Sequence, residues 1–239
     1  MLTKMNHPWF NKNLKCVVLC GGTGSRLLPL SLEKQKGMIE VASQPIIKYI
    51  IDYWKQFTNE FIFIVKYKKE ELIEYLKTLP VNSTFIELQE LKGIGDGLLE
   101  VENIINDNFI TVLGDCYCKG TFNFPENFDQ GVGVWPAELD DDIKRSYSIE
   151  LNNGQIHEVI EKPKQLLNNF CGMGFYFFKP KVFNYIKKSP PDSDGRRGIT
   201  EVIQLMIDNG EIVKPLNFQG DYLNITYQED VKRLEKLIN

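Results

Sequence analysis

Apolar residues fall along this chain in two alternating patterns. Short apolar-rich runs at 14–20, 61–65, 84–88 and 109–113 have the length and bounding residues of buried strands. Between them, 46–57 follows Pro45, a helix start signal, and 70–79 carries Leu72, Ile73, Leu76 and Leu79 at the spacing of one helix face. A stretch opened by glycines at 95–106 reads as a third helix. Strand and helix in alternation predict a doubly wound sheet with helices on both faces. Ligands of such sheets bind outside the carboxyl ends of the strands. Two chemically distinctive features fall at such ends: a glycine cluster after 14–20 and Asp115 after 109–113.

Beyond Asp115 the pattern changes. Residues 131–137 read as a strand followed by the acidic stretch Glu138-Leu139-Asp140-Asp141-Asp142. Runs at 146–151 and 155–160 flank Asn152-Asn153-Gly154, a hairpin turn signal. A strand at 172–178 and a short helix at 181–187 after Pro180 come next. The stretch 199–207 puts Ile199, Val202, Ile203 and Met206 on one helix face; a strand at 212–216 and a helix at 229–238 close the chain. The expected organisation is an N-terminal extension, 1–13, and one compact domain, 14–239, whose two parts divide near residue 130 and share one mixed sheet.

Composition narrows the class. At 239 residues the chain can bury a substantial core, and 43% hydrophobic with 25% charged residues is ordinary for a globular protein. A net charge of −4 argues against a general nucleic-acid binder but leaves room for a local basic site. No run of eighteen apolar residues predicts a membrane span, and residues 1–13 lack the apolar core of a signal peptide. Of the five cysteines, Cys16, Cys20 and Cys171 sit in apolar runs, and Cys116 and Cys118 are too close for a C-x-x-C pair. A reduced, cytoplasmic protein is expected. His7 and His157 have no partner at a useful spacing and read as surface or structural residues.

The stretch Cys16-Val17-Val18-Leu19-Cys20-Gly21-Gly22-Thr23-Gly24-Ser25-Arg26-Leu27 leads from the first strand into the glycine cluster, with Lys36 ten residues after Arg26. Glycines there let backbone N–H groups approach a phosphate, beside fixed positive charge. It is not a P-loop, since no Gly-Lys pair follows Gly24, nor a dinucleotide fingerprint, since Leu27 occupies the place of the third glycine. A plain glycine-rich turn with a surface arginine has the same short pattern.

The longer pattern is more specific. Gly21-Gly22-Thr23-Gly24-Ser25-Arg26-Leu27-Leu28-Pro29-Leu30-Ser31, then Lys36, resembles the signature of the sugar-phosphate nucleotidyltransferases, with Gln35 where the family has a proline before the lysine. Four further segments follow in the family's order. Gly93-Ile94-Gly95-Asp96-Gly97-Leu98 occupies the place of a segment lying against the base; Leu113-Gly114-Asp115 that of a metal aspartate; Glu161-Lys162-Pro163 and then Gly172 that of the acceptor site. Gly220-Asp221-Tyr222-Leu223-Asn224 resembles the last motif, with Asn224 in place of a second metal aspartate and Tyr222 in place of tryptophan; Ser148 replaces a glycine after Tyr147.

The resemblance spans roughly residues 14 to 235 and implies a Rossmann-like, GT-A-like fold, with 14–130 binding the nucleotide and 131–239 the acceptor. It implies Leu19, Gly21, Gly22, Thr23, Gly24, Ser25, Asp96 and Gly97 for the nucleotide, and Glu161 and Gly172 for the acceptor. Arg26, Lys36 and Lys162 would be the catalytic cations, and Mg2+ would sit on Asp115 and Asn224. The implied reaction joins an NTP, with a pyrimidine base favoured, to a sugar 1-phosphate, releasing pyrophosphate. The same chemistry on a phosphorylated choline or amino-acid derivative, and a catalytically silent nucleotide-sugar-binding protein, are the alternatives. A nicotinamide oxidoreductase is disfavoured by the missing glycine. The acceptor and the oligomeric state, a homo-oligomer included, stay open.

Overall fold

The structure is a computed structural model describing residues 7–90 and 93–238; residues 1–6 of the expected extension lie outside it. In chain order the elements are β1 (Lys15–Cys20), β2 (Glu40–Val41), β3 (Gln44–Pro45), α1 (Ile46–Trp54), β4 (Glu60–Val65), α2 (Lys69–Lys77), β5 (Asn82–Glu87), α3 (Ile94–Leu99) and β6 (Phe109–Leu113). They continue as β7 (Cys116–Asn123), β8 (Gln130–Pro136), α4 (Asp140–Lys144), β9 (Tyr147–Asn152), β10 (Gln155–Glu161), β11 (Phe170–Phe178), α5 (Val182–Lys188), α6 (Ile199–Asp208), β12 (Val213–Asn224) and α7 (Gln228–Ile238). The chain forms two compact units interleaved in sequence: a first, built from 15–90, 112–119 and 220–238, and a second, from 7–14, 93–111 and 120–219.

In the first unit β1 pairs in parallel with β4, and β4 with β5, with Val18 opposite Phe63 and Phe63 opposite Phe85. Val17, Val18, Phe63, Ile64 and Val65 are wholly buried, which is why these strands read as continuous apolar runs. Helix α1 buries Ile46, Ile47, Ile50, Ile51 and Trp54 along one face. Each such side chain is worth about 1.5–3 kcal/mol on burial, so packing holds this helix despite the lower propensity of its isoleucines.

In the second unit β11 runs antiparallel to both β8 and β9, β9 and β10 form the expected hairpin, and β8 pairs in parallel with β12 from Val213 to Asn217. Asn153 and Gly154 both adopt positive φ, 50° and 73°, as a tight two-residue hairpin turn requires. Helix α6 packs on β10, α3 and α5 pack with α6, and α4 lies on β9 and β11. The described part of the N-terminal extension is docked here. Trp9 stacks on Phe128 at 5.2 Å, Phe10 meets Phe124 edge-on at 4.7 Å, and buried His7 donates from Nε2 to the Pro125 carbonyl at 2.7 Å.

Several elements differ from expectation. The third helix stops at Leu99, leaving one short turn at Glu102–Ile104, because Gly95 and Gly97 weaken it by about 1 kcal/mol each relative to alanine. The acidic stretch is the first turn of α4: Asp140, Asp141 and Asp142 complement the positive end of the helix dipole while Ile143 is buried. Strand β7 was not expected, and β12, expected over 212–216, runs on to Asn224 and takes in the last motif as far as that residue.

All five cysteines are free and buried. Burial pushes every one of these thiols up, Cys171 to about 12. Raised thiol pKa values leave almost no thiolate at pH 8. We expect a thiol reagent at pH 8 to find no fast-reacting group in the native protein and five in denaturant; a fast native phase would contradict the packing.

Candidate active site

The glycine cluster of the first unit leaves β1 and turns at Gly24, whose φ of 65° lies in the left-handed region where glycine costs least. The Gly24 carbonyl accepts from the Leu27 N–H at 2.8 Å and the Ser31 hydroxyl at 2.7 Å, and Leu27 anchors the turn by full burial. Beside them, a side chain added at Gly22 would meet nothing within 4 Å, so packing does not require that glycine. Gly21, Thr23 and Ser25 complete the loop, Gly21 accepting from the Tyr67 N–H at 3.5 Å and Ser25 opening the turn Ser25–Leu27. Arg26 is exposed and makes no ion pair among the described residues.

Lys36 and Asp115 meet: Nζ to Oδ2 is 2.6 Å, with the lysine side chain 14% and the aspartate 28% exposed. Gly114 makes this meeting feasible. Its N–H donates to the Leu19 carbonyl at 2.9 Å, and a Cβ there would stand 2.7 Å from Cys20 Sγ. Glycine thus lets the end of β6 close on the end of β1 and delivers Asp115 to the loop. Asn224 comes from β12, and the adjoining Ile225 N–H donates to the Asp115 carbonyl at 2.9 Å. The Thr226 hydroxyl donates to Asn224 Oδ1 at 3.2 Å, fixing that carboxamide. Wholly buried Asp230, in the first turn of α7, reaches back to accept from the Thr226 and Tyr227 N–H groups, both at 2.8 Å, and pins the segment ahead of the helix. Tyr222 is buried with its hydroxyl 3.3 Å from Cys116 Sγ.

Two hard oxygen donors, one anionic and one neutral, suit Mg2+, which takes one or two protein oxygens and completes its shell from phosphates and water. Among the described residues no group of three or more histidine, cysteine, aspartate or glutamate side chains gathers as a self-sufficient metal cage.

The second unit assembles its own group around Tyr147. This residue lies on β9 opposite Gly172 on one side and Glu161 on the other. A Cβ on Gly172 would fall 2.0 Å from the Tyr147 ring, and the Tyr147 hydroxyl donates to the Met173 carbonyl at 3.1 Å. Glu161 accepts from the Thr200 hydroxyl at 2.8 Å and lies 3.2 Å from Lys162 Nζ. Lys162 itself has φ 44°, uncommon for a non-glycine residue, with its N–H held by the Ser146 carbonyl at 2.8 Å. A strained, half-exposed lysine at a strand end is a motivated place for an anion contact.

Asp96 and Gly97 also lie in the second unit, both buried on α3. Asp96 is committed to protein partners. It accepts from the Gly93 N–H at 3.2 Å, the Arg197 N–H at 2.8 Å and Arg197 Nη1 at 2.8 Å. Gly93 and Gly95 let the Arg197 backbone approach: the Gly95 N–H donates to the Arg197 carbonyl at 2.9 Å. Arg197 is ion-paired with Asp96 and 29% exposed. Arg196 is exposed, among Asp192 and Asp194.

A glycine-rich loop and a lysine–aspartate pair meet at the strand ends of an α/β scaffold, the place where such sheets bind their ligands. The family model described as nucleotidyl transferase matches residues 15–231, and the chain belongs to that family. A UTP–glucose-1-phosphate uridylyltransferase, AglF of Haloferax volcanii, is 32% identical over 93% of this chain and 96% of its own. The bifunctional protein GlmU of Methanocaldococcus jannaschii is 28% identical over 94% of this chain, which spans 54% of that relative's length. Among solved structures, a glucose-1-phosphate thymidylyltransferase from Bacillus anthracis matches with a TM-score of 0.82 at 23% identity, covering 94% of each chain. The inositol-1-phosphate CTP transferase from T. maritima matches at 0.81 with 21% identity over 94% of each chain. These structures share the α/β fold with its mixed sheet. No helix among the described residues is long and apolar enough to cross a membrane.

Proposed function

We propose that the protein joins a pyrimidine nucleoside triphosphate to a sugar 1-phosphate, forming a nucleoside-diphosphate sugar and pyrophosphate. The observation that carries this reading is the Lys36–Asp115 pair at 2.6 Å, with Lys36 against Gly24 of the glycine loop and the Ile225 N–H, next to Asn224, bonded to the Asp115 carbonyl. UTP and glucose 1-phosphate are the first pair to test, because they are the substrates named for the 32% identical relative.

Both reactants are anions, so the protein's work is alignment and neutralisation. An oxygen of the acceptor's phosphate attacks the α-phosphorus; that O–P bond forms as the bond to the β-phosphate's bridging oxygen breaks, and pyrophosphate leaves with the electron pair. The attacking oxygen is already ionised, so no general base is needed. The backbone of Gly21, Gly22, Thr23 and Gly24 would cradle the triphosphate, together with Leu19 and Ser25. Arg26, exposed and unpaired among the described residues, would take the β- and γ-phosphates. Lys36 would bridge the α- and β-phosphates as charge shifts to the leaving group. Lys162 would hold the acceptor's phosphate, with Glu161 and Gly172 toward its sugar. Mg2+ on the oxygens of Asp115 and Asn224 would polarise the α-phosphate and offset the triphosphate's charge. Asp96 and Gly97 would shape the base region through α3 and its hold on Arg197.

The test is pyrophosphate release with Mg2+, crossing the common NTPs with sugar 1-phosphates and phosphorylated non-sugar acceptors. Release from a pyrimidine nucleotide and a sugar 1-phosphate supports the reading. Release only with a phosphocholine-like acceptor, or tight NTP binding without turnover, would replace it with one of the two alternatives.

A further inference from the structure

We infer that Gln35 is a positioning residue that sets Lys36 for the triphosphate, doing with its side chain what a proline's ring does by covalent restraint. This rests on the function proposed above. Gln35 is 4% exposed, unusual for a glutamine in a loop. Both ends of its carboxamide are bonded across the loop: Nε2 donates to the Cys20 carbonyl at 2.9 Å, and Oε1 accepts from the Gly37 N–H at 2.5 Å. One bond ties it to the last residue of β1, the other to the residue just after Lys36. The short turn Lys36–Met38 is thereby fastened at its start to the strand that carries the glycine cluster.

Two further observations fit the assignment. The Gln35 backbone has φ −61° and ψ 144°, values a proline adopts without strain, so the loop keeps the conformation proline imposes while the side chain supplies two bonds that proline lacks. Gly37 is also matched to this glutamine: a Cβ there would stand 3.0 Å from Gln35 Oε1 and 3.3 Å from Ile47 Cβ. Lys36 itself lies close to the turn glycine, its Cβ 3.5 Å from where a Gly24 side chain would begin. Loosening the residue before Lys36 frees the lysine to swing from both Asp115 and the phosphates. It also leaves the Cys20 carbonyl without its side-chain donor.

The test is a double-mutant cycle on Gln35→Met and Lys36→Ala, read both as kcat/KM and as the Kd of a non-hydrolysable NTP analogue. Gln35→Met keeps bulk and apolar contact but makes neither hydrogen bond. We expect it to lower kcat/KM about tenfold or more and to weaken analogue binding, with little further loss when added to Lys36→Ala. Gln35→Pro, which restores the backbone restraint, is expected to recover most of the activity. Independent losses that multiply in the double variant would show that Gln35 does not act through Lys36 and would overturn the inference alone. Turnover within twofold of the parent in Gln35→Met would do the same. A parent protein that neither turns over nor binds the analogue would overturn the proposed function, and this inference with it.

Discussion

Asp115→Ala is expected to lower kcat/KM for pyrophosphate release by at least about a hundredfold, the scale of removing one electrostatic stabiliser from a reacting centre. The side chain does two things at once. It presents the only carboxylate that the Lys36 ammonium touches among the described residues, at 2.6 Å. In the proposed mechanism it would also supply, with Asn224, an oxygen for Mg2+. Removing it would take away that oxygen and release Lys36. Stability should fall modestly, because the lysine and aspartate side chains are 14% and 28% exposed and the pair is better shielded than a surface pair worth about 0–1 kcal/mol. The check is steady-state kinetics at several Mg2+ concentrations beside a melting curve. A rate within about threefold of the parent, in a folded variant, would remove Asp115 from the mechanism. Asn224→Asp tests the other half of the donor pair: it should tighten the apparent Mg2+ requirement without damaging the fold.

Gly93→Ala should destabilise the protein by about 3 kcal/mol, the upper range for an overpacked interior position. An added methyl would stand 2.1 Å from the Arg197 carbonyl oxygen and 2.8 Å from its nitrogen. Those are backbone atoms, which cannot swing aside as a side chain can. Moving them pulls Arg197 away from Asp96, and with it the three bonds that carboxylate accepts. Urea unfolding followed by circular dichroism measures this as a lower midpoint at unchanged slope. A loss under about 1 kcal/mol would mean the loop yields cheaply. Gly22→Ala is the contrast, since a methyl there meets nothing within 4 Å. Its stability should stay near the parent's while triphosphate binding weakens.

These two glycines show what the sequence carries and what it hides. Both sit in glycine-rich segments after a strand, and the local pattern is the same. Gly22 is open and Gly93 is filled by Arg197, a residue more than a hundred positions away. Local periodicity reports faithfully on local structure. The apolar runs of β1, β4 and β6 and the one-sided spacing of α2 and α6 could be read directly. So could the place of Asp115 at a strand end, where it meets Lys36. Tertiary pairing has no such signature. That Asp96 is a latch for Arg197, that Asp230 accepts from Thr226 and Tyr227, and that Tyr147 lies against Gly172 each depend on partners fixed by the fold. Gln35 was visible as a departure from the family pattern, but a departure alone does not reveal two hydrogen bonds. The acidic stretch carried no structural reading for a related reason: charge alone does not mark a helix start, and the burial of Ile143 in α4 is fixed by the fold.

The most direct measurement of the central claim is phosphorus NMR of the parent protein with UTP, glucose 1-phosphate and Mg2+. The account predicts that the two substrates disappear together while UDP-glucose and pyrophosphate appear in equal amounts, and that added pyrophosphate reverses the reaction. Orthophosphate as the only product, or no change with this and every other NTP and sugar 1-phosphate pair, would contradict it.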